Sequence, residues 1–192
     1  MTRRSACGIA VIGIVAIAAV AASLAVAPGL AGAPAAGLAL VTLAIAVIDA
    51  RRFIIPDELT VAALALAIAN AGLEAWPDGW SAVLESIGTA LLRGAALALG
   101  FLALRALYQR VRGWEGIGLG DVKLAGVAGA WLDWATIPVA IEIAALAALA
   151  VYVVRQLVGG HVMRATARLP FGLFLAPAIW LGWLLQATLF GR

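Results

Sequence analysis

Two short stretches each put a carboxylate where a very apolar segment meets a basic one: Ile48-Asp49-Ala50-Arg51-Arg52-Phe53-Ile54-Ile55-Pro56-Asp57 and Gly118-Leu119-Gly120-Asp121-Val122-Lys123-Leu124. An ionisable group at a membrane helix end is expensive to desolvate unless it is paired, hydrated or used, so two of them form a candidate functional site. Two aspartates can share a proton, and the chemistry this allows is peptide hydrolysis. One carboxylate, ionised, takes a proton from water as that water attacks a carbonyl, while the other, protonated, hydrogen-bonds and then protonates. Such a pair titrates as a unit, and the sequence leaves open which aspartate is the base. Gly118 and Gly120 allow close backbone approach, room for an extended peptide beside Asp121.

The elements that must position these groups follow from composition. The chain is 65% hydrophobic and 12% charged, with a mean hydropathy of +1.09, against about 45–50% apolar and 25% charged in ordinary soluble domains. It is expected to be all-α, a polytopic helical membrane protein whose 192 residues hold about six or seven transmembrane helices at about 20 residues each. Apolar spans are expected near 7–27, 30–49, 57–74, 81–105, 119–134, 136–157 and 171–190, broken at Pro28-Gly29, Arg51-Arg52, Pro77-Asp78-Gly79, the polar run 109–116, Asp133-Trp134, 159–168 and Pro170. Residues 1–192 read as one integral-membrane domain, with the motif-bearing core from about residue 40. Arg3 and Arg4 before an apolar run give the first span a signal-like appearance. The run exceeds the about 7–15 residues of a signal core and another span follows at once, so a retained helix is expected. Cys7 precedes that run and reads as an ordinary buried thiol, and a single cysteine allows no intrachain disulfide or cysteine-rich zinc site.

With a cytoplasmic N-terminus, seven crossings put Arg3, Arg4, Arg51, Arg52, Arg105, Arg110, Arg112, Lys123, Arg155, Arg164 and Arg168 on or near the cytoplasmic side, leaving only Arg93 and Arg192 elsewhere. Trp76, Trp80, Trp131 and Trp134 then gather at the outer interface. The net charge of +3 belongs to the inner loops and calls for no nucleic-acid partner. Asp49 and Asp121 both fall at the cytoplasmic face of the inner membrane. From Trp134 back to Asp121 is roughly 20 Å of helix, short of a core of about 30 Å, which places Asp121 below the surface and Asp49 nearer to it.

The step from Asp49 to Pro56-Asp57, the run from Gly118 to Leu124 and the late Leu169-Pro170-Phe171-Gly172 together resemble the type IV prepilin peptidases, over the chain from about residue 40 onward. The Gly-x-Gly-Asp element alone is shared with presenilin-like proteases; the set is not. The resemblance implies that Asp49 and Asp121 are catalytic and that the basic leader is cut from type IV prepilin or pseudopilin precursors on the cytoplasmic side. It also implies no metal or organic cofactor. Many relatives carry paired Cys-x-x-Cys motifs and N-methylate the new terminus. With only Cys7 here, a peptidase-only form is expected, like the compact relatives serving Flp/Tad pili, pseudopilins or archaellins.

The remaining polar residues have plainer readings beside the functional ones. Asp57 could shape the site, but following Pro56 and preceding Thr60 it reads as the N-cap of the third span. Lys123 either tunes the aspartate pair or holds a substrate carboxylate, or else is a positive-inside anchor. Pro170, Phe171 and Gly172 either line the substrate groove or start the last helix, with proline in its first turn. His161 has no second histidine to make a metal site. Arg93 and Glu142, both within spans, are expected to pair. The rival reading is a small proton- or cation-coupled transporter using its intramembrane aspartates. Transport sites lie near the midplane of repeated halves, whereas these aspartates lie toward one face and no repeat is visible. Oligomeric state is not legible.

Overall fold

The computed structural model describes residues 3–113, 116–159 and 170–189 of the chain. The expectations for His161, Arg164, Arg168, Leu169 and Arg192, and for the side chains of Arg3, Arg4 and Cys7, fall outside what is described. Among the described residues seven α-helices follow one another: α1 (Arg3–Val26), α2 (Ala33–Arg52), α3 (Asp57–Ala75), α4 (Trp80–Arg112), α5 (Leu119–Trp131), α6 (Thr136–Gly159) and α7 (Gly172–Leu189), with 3₁₀ turns at Gly29–Gly32 and Trp76–Asp78. Six of them, all but α5, are long and apolar enough to cross a bilayer. The chain is a multi-pass helical membrane protein.

The reversals have local causes. Phe53 adopts the left-handed conformation, φ 55 and ψ 36, so its N–H closes on the Asp49 carbonyl at 2.9 Å and α2 stops. Three residues later Pro56, at φ −64, opens α3, its fixed ring torsion suiting a helix start. The fourth expected span, 81–105, is too short: α4 continues to Arg112 and ends on Gly113, which is left-handed at φ 74. Good helix formers such as Gln109 and Arg110 continue the hydrogen-bond ladder where apolar character has ended. Thirty-three residues span about 50 Å, well beyond the hydrocarbon core.

The fifth expected span, 119–134, requires the opposite correction. α5 has only 13 residues, about 20 Å, and is enclosed by α4, α3 and α7. Leu124, Ala125, Val127, Ala128 and Ala130 are all buried. Trp131, expected at the outer interface, is buried too, and its indole N–H donates to the Ala63 carbonyl of α3 at 2.9 Å. An interior helix turns its aromatic residue into the protein; Trp76, Trp80 and Trp134 are exposed.

α4 and α5 approach until their backbones touch. A Cβ at Gly129 would stand 2.5 Å from the Arg93 carbonyl oxygen, and one at Gly94 2.8 Å from the Gly126 carbonyl oxygen. Small residues at such seams supply van der Waals packing that lipid cannot. Arg93, expected to meet Glu142, instead donates from Nε to the Gly129 carbonyl at 3.3 Å, because α4 packs on α5 whereas Glu142 rides on α6, which packs on α7. Leu38 and Ile45 of α2 join Leu124, Leu132, Leu175 and Ile179 in the core. α1 lies outside, tied to α7 where Trp180 Nε1 donates to Ser23 Oγ at 3.0 Å.

Gly129→Val should force α4 and α5 apart and lower stability by about 1–3 kcal/mol, the usual overpacking cost. Thermal unfolding in detergent reads this directly, and an unchanged midpoint would mean the two backbones are not so close.

Candidate active site

The C-terminal end of α2 and the N-termini of α3, α5 and α7 meet at one end of the bundle, and the two aspartates lie there. Asp49 sits in the last turn of α2 and is 5% exposed. Its Oδ2 accepts the Leu173 backbone N–H at 2.9 Å, with the Gly172 amide beside it as a second favourable contact. These are amides of the first turn of α7, which no helical carbonyl serves fully. The late Pro170-Phe171-Gly172 element therefore belongs to this site, through its backbone.

Asp121 is at the third position of α5, half-buried, and reaches back over its own helix start: Oδ2 accepts the Gly118 N–H at 3.3 Å. This is the carboxylate half of a capping box, satisfying one otherwise unpaired donor. Burial pushes the Asp121 carboxyl above the usual carboxylate range; the Gly118 N–H opposes the shift and the Asp49 charge adds to it. Asp49 and Asp121 are thus within reach of each other's charge. Asp49 is the less solvent-exposed of the two, with the first turn of α7 against it, while Asp121 is half-buried at a helix start.

Ile55, from the short turn between α2 and α3, was not singled out by its sequence and is central here. It is 9% exposed. A Cβ built on Gly172 would lie 2.7 Å from its Cδ1, and one built on Gly120 would lie 3.1 Å from its Cβ. One side chain thereby wedges between the starts of α5, which carries Asp121, and α7, which receives Asp49. Its only sequence signal is an apolar residue in a four-residue connection, too weak to act on. Phe53 and Ile54 beside it are exposed. Arg105 is a second residue whose role was missed: from the extension of α4 its Nη1 donates to the Ile117 carbonyl at 2.5 Å, holding the loop that leads into Gly118.

Asp57 and Lys123 form an ion pair with each other across α3 and α5. The capping reading of Asp57 is corrected: Pro56 is the cap residue, no side chain caps the helix, and Asp57 is already inside the first turn. Thr60 instead turns its hydroxyl to the Pro56 carbonyl at 3.1 Å. Lys123 is two positions past Asp121, about 200° around the helix, so it faces α3 rather than Asp49. Among the described residues no three His, Cys, Asp or Glu side chains converge as a metal site would need.

The sequence pattern of the type IV leader peptidase family matches residues 36–153, which include both aspartates. The chain is 37% identical over 149 residues to a prepilin leader peptidase/N-methyltransferase of Burkholderia pseudomallei (strain 1026b), covering 78% of this chain and 45% of that protein. With an enzyme of the same name from Aeromonas hydrophila it shares 29% identity, over 88% of this chain and 54% of that one. It is also similar to the leader peptidase HopD of Salmonella typhimurium, at 33% identity, over 74% of this chain and 86% of HopD. The chain thus spans about half the length of the two-activity relatives. No solved structure matches it.

Because burial and the Asp49 charge both raise Asp121, a protonated carboxyl should persist above the ordinary aspartate value of about 3.9. Infrared titration of the purified protein reads it: Asp121→Asn removes the persistent carboxyl band. Asp49→Asn, by removing the charge that adds to the effect of burial, should shift it to lower pH.

Proposed function

We propose that this chain, which belongs to the type IV leader peptidase family, is a membrane-embedded aspartyl endopeptidase that removes the basic leader from type IV prepilin-like precursors. The observation that carries the reading is the convergence of Asp49 and Asp121, from separate helices, at one end of a membrane bundle and within the residues matched by the family. Water held between the carboxylates loses a proton to the ionised one as its oxygen bonds to the scissile carbonyl carbon. The protonated one gives its proton to the carbonyl oxygen. Collapse breaks the C–N bond, and the proton taken from water leaves with the new amine. As the carbonyl re-forms, a hydroxyl proton of the tetrahedral intermediate returns to the second aspartate, so each carboxyl ends in the state it began in.

The substrate follows from the same geometry. A prepilin has a basic leader in the cytoplasm followed by an apolar helix in the bilayer, so its scissile bond lies at the depth of a helix end. The Lys/Arg bias orients the site toward the cytoplasm, with the protein in the inner membrane and its N-terminus inside. Gly118 and Gly120 leave backbone room beside Asp121, Asp57 and Lys123 brace α3 against α5, and Pro170, Phe171 and Gly172 start the helix on which Asp49 leans. The transport reading loses its support, since the relatives are named as peptidases and the two carboxylates gather at one end of the bundle.

Cleavage without methyl transfer is the reading for these 192 residues. HopD, a leader peptidase by name, is covered over 86% of its length, whereas the two-activity relatives are covered over 45% and 54%.

Co-expression with a type IV prepilin should give a leader-sized mobility shift. Asp49→Asn and Asp121→Asn should each reduce cleavage at least about 100-fold, the scale of lost acid–base catalysis, while the protein still inserts. Cleavage at the wild-type rate by either variant refutes the dyad. Labelled methyl groups from S-adenosylmethionine should not appear on the cleaved pilin; their appearance would refute the peptidase-only reading.

A further inference from the structure

Both aspartates are held by helix starts, but not equally. Asp121 accepts one long bond, 3.3 Å, from the cap of its own short helix. Asp49 is received by another helix altogether, with the Leu173 N–H at 2.9 Å and the Gly172 amide adjoining. That N–H also approaches the Pro170 carbonyl, at 3.3 Å, so the carboxylate is its nearer partner. Burial works against a charged Asp49, and N–H donors at a helix start work for it, by hydrogen bonding and by the helix dipole. The donor turn is itself rigid: Leu175, Ala176 and Ile179 just beyond it are at most 1% exposed. A Cβ at residue 172 would stand 2.9 Å from Asp49 Oδ2 and 3.1 Å from its Cγ, displacing the carboxylate from those amides.

We propose that the first turn of α7 is the positioning element of Asp49: the Leu173 amide holds the carboxylate, the bare Cα of Gly172 leaves it room, and Asp49 is therefore the ionised, water-activating partner while Asp121 carries the proton. This rests on the peptidase reading and assigns within it the roles that two chemically identical side chains leave open. Water then gives its proton to Asp49 as its oxygen bonds to the carbonyl carbon, and Asp121 gives its own to the carbonyl oxygen. When the C–N bond breaks, the proton on Asp49 goes to the leaving amine, and as the carbonyl re-forms a hydroxyl proton returns to Asp121. Few other charges face Asp49. Asp121 does so from α5; Arg51 and Arg52 are exposed at the end of α2 itself. Asp57 of α3 is paired with Lys123, and α7 carries no ionisable side chain over its described length.

The test is steady-state cleavage of a prepilin by the full chain in proteoliposomes across pH. Gly172→Ala should lower kcat about 10- to 100-fold with KM within about twofold, a loss confined to the chemical step. Without the amide contacts the Asp49 anion is less favoured and is protonated at higher pH. The acid limb of the kcat profile should therefore move up by roughly one pH unit, a shift that a packing defect alone would not give. An unchanged kcat and acid limb overturns the proposal; so does movement of the alkaline limb instead, which would give the base role to Asp121. Because the added methyl also meets Ile55, Ile55→Ala is compared with the Ile55→Ala/Gly172→Ala double variant, which relieves that overlap and keeps the one with Asp49. Equal rates and equal acid limbs in those two overturn the proposal even if Gly172→Ala alone fails to fold. Wild type and Asp49→Asn are run alongside. If the wild-type chain cleaves no prepilin, the peptidase reading has failed; if it cleaves, Asp49→Asn does not and Gly172→Ala behaves as wild type, only the positioning role has.

Discussion

A carboxylate that is 5% exposed inside a membrane bundle has to be met by donors, and a helix that starts inside the same bundle has donors that need an acceptor. Asp49 and the first turn of α7 satisfy each other across 124 residues of sequence. Neither need can be met by lipid, where an unpaired polar group costs several kcal/mol. The remaining arrangement serves that contact. α2 and α7 pack along their lengths through Leu38, Ile45, Leu175 and Ile179, which fixes the height at which α7 begins. Ile55 fills the wedge that the contact leaves open.

The second aspartate is held by a different device. Asp121 rides on a helix too short to cross, and a short helix stays at its depth only if its neighbours grip it. The glycine seam with α4 supplies the grip, since Gly94 and Gly129 let two backbones meet where any side chain would separate them. At its open end the loop before Gly118 is pinned from α4 by the Arg105 bond to Ile117 and by the Tyr108 ring lying over Gly116. The extra length of α4 thus has a structural use: it reaches past the bundle to anchor the approach to Asp121.

The family match ends at residue 153, whereas the amide that receives Asp49 belongs to residue 173. Backbone donors leave little trace in a sequence pattern, because any non-proline residue supplies one. What does leave a trace is the residue that must be small, here Gly172. That is why the glycine that begins α7 stands out beside the aspartates although it has no side chain to bond to a carboxylate.

By itself, the sequence determined the solvent, the number and rough limits of the helices, and the convergence of two carboxylates at one end. Apolar runs of bilayer length have few alternatives to a helix, and charged breaks between them set the alternation. It could not tell that α5 is interior, that Trp131 is buried, that Asp57 meets Lys123 instead of capping its helix, or that the first turn of α7 receives Asp49. In a soluble protein the polar face of a helix marks the outside. In a bilayer the lipid-facing and protein-facing surfaces are both apolar, so periodicity names no neighbour. Which helix starts where, and so which amide meets which carboxylate, was decided only by how closely the helices pack: by glycines at one seam, one isoleucine at another, and the length of a helix that stops halfway.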